Sequence, residues 1–266
     1  MRISFMIVLG LLLALPCLIW LSAQLTLDRS LAHTRASEAL PLAGPETSSG
    51  LVQIKVGEFS FRARVAGLDG DGPGLILLHG FPESSIMWTP LLERAADAGF
   101  RVVAFDQRGY SPGARPEGVD RYGIDALIND IFAIADAVGF ESFHLIGHDW
   151  GSIVGWTATA RDTTRVLSWA SLSIPHPAAI PDPDAPPSTP TYVKVFRRPG
   201  LPEALLGAGG RWFMRNAMYS TMPAAHVAEY DALYAEPGAL TATLNWYRAL
   251  DPSSGAPAYA DPIEQP

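Results

Sequence analysis

The stretch Ile146-Gly147-His148-Asp149-Trp150-Gly151, IGHDWG, has the G-x-S-x-G spacing of a tight strand-to-helix turn that displays a nucleophile, with Asp149 in the serine's place. Taken alone the pattern is weak, because an Asp before a helix is commonly an N-cap. Its surroundings strengthen it: SFHLIGHD (142–149) is a short apolar run, and residues 152–159 read as a helix. Gly147 and Gly151 then permit the turn and Asp149 stands at its tip.

Working outward, GLILLHG (74–80), RVVAFD (101–106) and VLSWASLSI (166–174) are further short apolar runs. Helical stretches at 87–98, 124–138 and 152–159 alternate with them. That alternation predicts an α/β fold with a mostly parallel sheet covered by helices on both faces. VQIKV (52–56) and FSFRARV (59–65) alternate in character and predict an antiparallel pair turning at Gly57. Chemistry in such sheets lies at the carboxyl ends of the strands. HGFP (79–82), DQRGYSPG (106–113) and GHDWG (147–151) all fall there.

A chain of 266 residues with 48% apolar content is long enough for a full core plus appendages. The net charge of −8 and scattered Lys and Arg argue against nucleic acid as a partner. One cysteine, Cys17, excludes an internal disulfide and a cysteine metal cage. Residues 3–23 carry no charge, and a helix of that length spans roughly 30 Å, about the bilayer's hydrocarbon thickness. Residues 1–26 are expected to be a cleaved secretory signal or an uncleaved membrane anchor, with the catalytic domain outside the cytoplasm in either case. A polar, Pro- and Ser-containing linker is expected over 27–50, a core over 51–177 and a helical cap over 178–250 that begins with the Pro-rich bridge IPDPDAPPSTP (180–190).

HGFPESSIMW (79–88), VVAFDQRGYSPGARP (102–116) and FHLIGHDWGSIVGW (143–156) together resemble the epoxide hydrolase branch of the α/β-hydrolase superfamily. The resemblance runs from about residue 51 to the end and includes the cap pieces TYVKVFRRPGLPE (191–203) and LNWYRAL (244–250). It implies Asp149 as nucleophile, the backbone N–H groups of Phe81 and Trp150 as oxyanion hole, and Tyr192 and Tyr247 as phenols that protonate the epoxide oxygen. His79, Gly80, Pro82, Gly147 and Gly151 shape the motifs, and Asp106, Arg108 and Gly109 brace loops. The implied substrate is a small apolar epoxide, with water as co-substrate and neither metal nor organic cofactor.

The Asp answers a chemical need. A carboxylate that displaces oxygen from a strained carbon forms an ester, which water can cleave, whereas a serine would form an ether. The same mechanism suits a haloalkane dehalogenase, but the tyrosine pair has a clear task only with an epoxide. A serine esterase is disfavoured, because Ser152 would lie inside the helix.

In this superfamily the chain order is nucleophile, acid, histidine, with the last two near the C-terminus. His33, His79, His144, His148, His176 and His226 do not occupy that late position, and Asp182 and Asp184 fall in the Pro-rich bridge. YADPIEQP (259–266) resembles the approach to the next core strand, so residues 251–266 are expected to start a return to the core. The expectation is a chain that lacks the final core strands with the base and acid, supports at most a single alkylation of Asp149 without turnover, and leaves the strand at 166–174 as an open sheet edge, the alternative being a non-catalytic truncated fragment.

Overall fold

The computed structural model describes residues 39–176 and 190–250. The expected signal or anchor (1–26), most of the Pro-rich bridge and residues 251–266 lie outside the described residues. Among the described residues no helix is long and apolar enough to cross a membrane.

Six strands form one sheet in the order β1-β2-β4-β3-β5-β6: β1 Gly50–Val56, β2 Phe59–Ala66, β3 Gly74–Leu78, β4 Arg101–Phe105, β5 Phe143–His148 and β6 Val166–Leu172. β1 pairs antiparallel with β2, and β2 antiparallel with β4; β4, β3, β5 and β6 run parallel. The expected strands therefore form in the expected sense. Part of the stretch expected as linker is ordered, because the N–H of Gln53 donates to the carbonyl of Pro41 and that of Ala43 to the carbonyl of Gln53. Backbone bonding to β1 overrides the polar, aperiodic composition of that stretch.

β3 lies inside the sheet with every residue buried, which is why its sequence is continuously apolar. Side chains alternate across a strand, so Leu75 and Leu77 share one face, where they pack with Val102 and Ala104 of β4. Trp88, Leu92 and Ala95 cover that face, the last two from α1 (Thr89–Asp97). Each fully buried leucine contributes roughly 2 kcal/mol of transfer free energy. In α2 (Ile124–Ala137), Leu127, Ile128, Ile131, Ile134 and Ala135 recur at helical spacing and are buried.

α3 (Trp150–Arg161) follows β5 with only Asp149 between them. Two close approaches fix the glycines of this turn. A Cβ on Gly147 would lie 2.5 Å from the Gly151 carbonyl oxygen, and one on Gly151 would lie 2.3 Å from that of Leu78. β6 closes the sheet among the described residues, with Leu167 and Leu172 each close to half exposed.

The stretch expected as one cap is divided. α4 (Thr191–Phe196) and α7 (Ala239–Ala249) belong to the same compact unit as the sheet, while Gly200–Pro237 falls in a second unit. That second unit contains α5 (Leu201–Phe213) and α6 (Ala224–Ala235). α5 is broken at 208–211, where Gly209, Gly210 and Arg211 take φ of +59°, +62° and +64°. Asp231 of α6 accepts hydrogen bonds from Arg211 and Arg215, which hold its carboxyl below the ordinary range against the opposing effect of burial.

Candidate active site

β3 and β5 are parallel neighbours, with Leu78 level with Gly147, so the loops that leave them meet at one end of the sheet. Asp149 sits at the tip of the β5-to-α3 turn with φ 53° and ψ −117°, a backbone conformation rare outside glycine. The N–H of Phe81 donates to its Oδ1 at 3.0 Å. The N–H of Trp150 lies close enough to lower the pKa of the carboxylate. Burial raises the pKa of Asp149, the two N–H groups and the nearby His148 oppose that rise, and the charge of Glu83 adds to it. Gly80 leaves room for this carboxyl, since a Cβ there would lie 2.5 Å from the Cβ of Asp149. Phe81 and Pro82 are joined by a cis peptide bond.

The residues after β3 and β4 form a buried frame. His79 is fully buried, with its Nδ1 2.9 Å from the Gly80 carbonyl, while its Nε2 accepts the N–H of Gln107 at 3.0 Å. Those partners place the ring proton on Nδ1 and give a neutral imidazole. Asp106 accepts the Ser85 N–H at 2.8 Å and lies 3.5 Å from Arg62. Arg108 donates two bonds to Asp130 of α2, at 2.8 and 2.7 Å, and its carbonyl accepts the indole N–H of Trp246 from α7 at 2.8 Å. At Gly109 φ is +91°.

An aromatic wall stands beside Asp149. Tyr247 is nearly buried and packs edge-to-face with Trp150, Phe81 and Phe196, at centroid distances of 4.8, 5.5 and 5.0 Å. Such pairs contribute about 0.5–1.5 kcal/mol each beyond their area. Phe196 also meets Phe81 at 5.5 Å and Tyr192 at 5.6 Å. Tyr192 is half exposed, and burial followed by the charge of Asp149 pushes its phenol pKa up. The structure thus gathers Asp149, Phe81, Trp150, Tyr192 and Tyr247 from four separate chain segments. Phe196 was missed in sequence, although it lies four residues after Tyr192, one helical turn away.

The other histidines are occupied differently. His176 lies edge-on to Trp156 at 4.9 Å, and His144 bonds Ser168 at 2.7 Å. Ser152 lies in α3 and donates to the carbonyls of Gly147 and Leu172 at 2.8 and 2.9 Å. His148 shares a hydrogen bond with Glu83 at 3.0 Å, a pair 65 positions apart that follows neighbouring strand ends and that the sequence reading missed. The hydrogen bond to Glu83 is the main cause of a raised His148 pKa, and the charges of Glu83 and Asp149 add to it.

A folded-state pKa above the unfolded value gives stability that is full below the unfolded pKa, about 6.5 for histidine, and is lost as pH rises through the folded value. Glu83→Gln is therefore expected to cost more stability at about pH 5.5 than at about pH 8.5. Urea midpoints at the two pH values measure this, and an equal cost at both would contradict the pairing.

Comparisons with known proteins identify the family. Residues 73–212 match the model of the alpha/beta hydrolase fold family. The chain is 39% identical over 200 residues to the AB hydrolase superfamily protein YfhM of Bacillus subtilis, covering 71% of this chain and 70% of that one. It is 36% identical over 160 residues to Epoxide hydrolase A of Mycobacterium tuberculosis, covering 57% of this chain, and 34% over 174 residues to Bifunctional epoxide hydrolase 2 of Mus musculus, covering 63%. The matches span 49% and 30% of those two epoxide hydrolases. Among solved structures, the epoxide hydrolase VrEH1 of Vigna radiata superposes with a TM-score of 0.64 at 27% identity, covering 76% of this chain and 71% of that one. Epoxide Hydrolase A of Mycobacterium thermoresistibile gives 0.62 at 26%, covering 75% and 74%. The chain belongs to the α/β hydrolase fold family, in its epoxide hydrolase branch, and its relatives place it among the hydrolases.

Proposed function

We infer that the chain opens a small apolar epoxide by attack of the Asp149 carboxylate. The observation that carries this reading is a carboxylate at the tip of the turn with Oδ1 already held by the Phe81 N–H. The second carboxylate oxygen forms a bond to an epoxide carbon as the ring C–O bond breaks. The departing oxygen takes a proton from the phenol of Tyr192 or Tyr247, and that tyrosine recovers its proton from solvent. The product is a hydroxyalkyl ester on Asp149.

The oxygen held by the Phe81 N–H is then the ester carbonyl. Water attack at that carbon places negative charge on it, where the Phe81 N–H already points and the Trp150 N–H would add a second donor. Collapse of the intermediate restores the carboxylate and releases a diol, with one proton of the water retained on the diol and the other passed to solvent. The aromatic wall of Phe81, Trp150, Phe196 and Tyr247 favours an apolar substrate.

Incubation with styrene oxide, followed by peptide mapping and product analysis, tests both half-reactions. An alkyl group on Asp149 reports the first alone, and a diol reports both. Unmodified Asp149 with no diol would remove the basis for the reading. The uncharged run at 3–23 further supports export or membrane anchoring with the catalytic domain outside the cytoplasm. Cell fractionation tests this, and a purely cytosolic chain would contradict it.

A further inference from the structure

Three non-glycine residues among those described have left-handed φ: Asp149 at 53°, Ser173 at 71° and Arg211 at 64°. Two of the three are joined to each other. The N–H of Asp149 is shared between the Leu172 carbonyl and Ser173 Oγ, each at 3.3 Å. Strain in one residue has no necessary relation to strain in another 24 positions away, so their meeting at the turn is informative.

Ser173 follows β6 directly, at a position where glycine would adopt the same backbone without penalty. Its neighbours are fastened to α3: Leu172 accepts from Ser152 Oγ at 2.9 Å, and the Ile174 carbonyl accepts the Trp156 indole N–H at 3.2 Å. These bonds hold the end of β6 against the start of the helix. The left-handed turn at Ser173 then sets its hydroxyl oxygen beside the Asp149 amide.

We propose that Ser173 is a positioning residue for the reacting carboxylate: by accepting the Asp149 N–H it fixes the angle of the turn and so the aim of the carboxyl group. This rests on the reading of Asp149 as nucleophile. A near-attack arrangement tolerates little error, and displacement by about 1 Å can cost a hundredfold in rate. Partial loosening, with the Leu172 carbonyl still accepting, is expected to cost about tenfold.

The test uses the full chain with styrene oxide over a range of concentrations, comparing wild type, Ser173→Ala and Ser173→Asn. Alanine keeps the side-chain constraint on φ but removes the acceptor. Asparagine tolerates positive φ and restores an acceptor through its amide oxygen. The expected result is a saturating alkylation or turnover rate about tenfold lower in the alanine variant, with an unchanged half-saturating concentration and recovery in the asparagine variant. Hydrogen exchange of the peptide spanning Asp149 should also speed up in the alanine variant and return towards wild type with asparagine. A wild-type rate in the alanine variant, or equal losses in both variants, overturns the proposal. If wild type gives neither adduct nor diol, the nucleophile reading fails separately. Exchange then decides the hold on the turn, and unchanged exchange in the alanine variant overturns that too.

Discussion

Asp149→Asn is expected to remove alkylation by styrene oxide, with a rate loss of at least about 10⁴-fold, the scale seen when a covalent nucleophile is deleted. The substitution isolates chemistry from structure. Asparagine has nearly the same shape, is enriched at positive φ, and keeps an oxygen to accept the Phe81 N–H that now bonds Asp149 Oδ1 at 3.0 Å. What it loses is the negative charge that makes the second oxygen reactive. Asp149 is buried enough for desolvation to raise its pKa, yet two N–H donors and His148 oppose that rise. Peptide mapping after a fixed exposure to epoxide measures the loss. An asparagine variant that alkylates at the wild-type rate would place the chemistry elsewhere.

Asp130→Ala is expected to produce the largest loss of stability, about 3–5 kcal/mol, through a residue that touches no reacting atom. Asp130 and Arg108 are both buried and joined by two hydrogen bonds. Removing the carboxylate leaves the Arg108 guanidinium buried without that partner, which costs more than the pair itself contributes. Arg108 cannot escape easily. Its guanidinium lies over the ring of Phe59 at 4.6 Å and donates to the Arg121 carbonyl at 3.0 Å, and its own carbonyl holds Trp246. Trp246 is followed by Tyr247, so the Arg108 carbonyl is tied to the aromatic wall. Urea denaturation measures the effect. The double variant Asp130→Ala with Arg108→Met should recover part of the loss, because it removes the stranded charge along with its partner. A cost below about 1 kcal/mol in the single variant would show that the pair behaves as a surface one.

The sheet was legible in the sequence because burial on both faces writes itself as continuous apolar runs such as GLILL, which β3 reproduces. The turn at Asp149 was legible because its glycines answer to close backbone approach, and that constraint is local. Tyr192 and Tyr247 could be named only through the flanking resemblance. Nothing in the spacing of 192 and 247 reveals that Phe196 joins their rings. The Glu83–His148 and Asp149–Ser173 bonds were not legible for a related reason. Each links the ends of different strands, and strand order and register, which no short window of sequence contains, bring those ends together. The order of residues 39–49 was hidden by their polar composition, since backbone hydrogen bonds to β1 need no apolar signature.

The central claim is that the carboxylate of Asp149 itself attacks the epoxide. One turnover with excess protein over styrene oxide, run in water enriched in heavy oxygen, tests it most directly. The expected result is a change of mass on the peptide carrying Asp149: the alkyl group if the ester persists, or heavy oxygen in the carboxyl group if water has cleaved it. Diol carrying the heavy oxygen, with the Asp149 peptide unchanged, would mean that water attacks the epoxide directly and would contradict the claim.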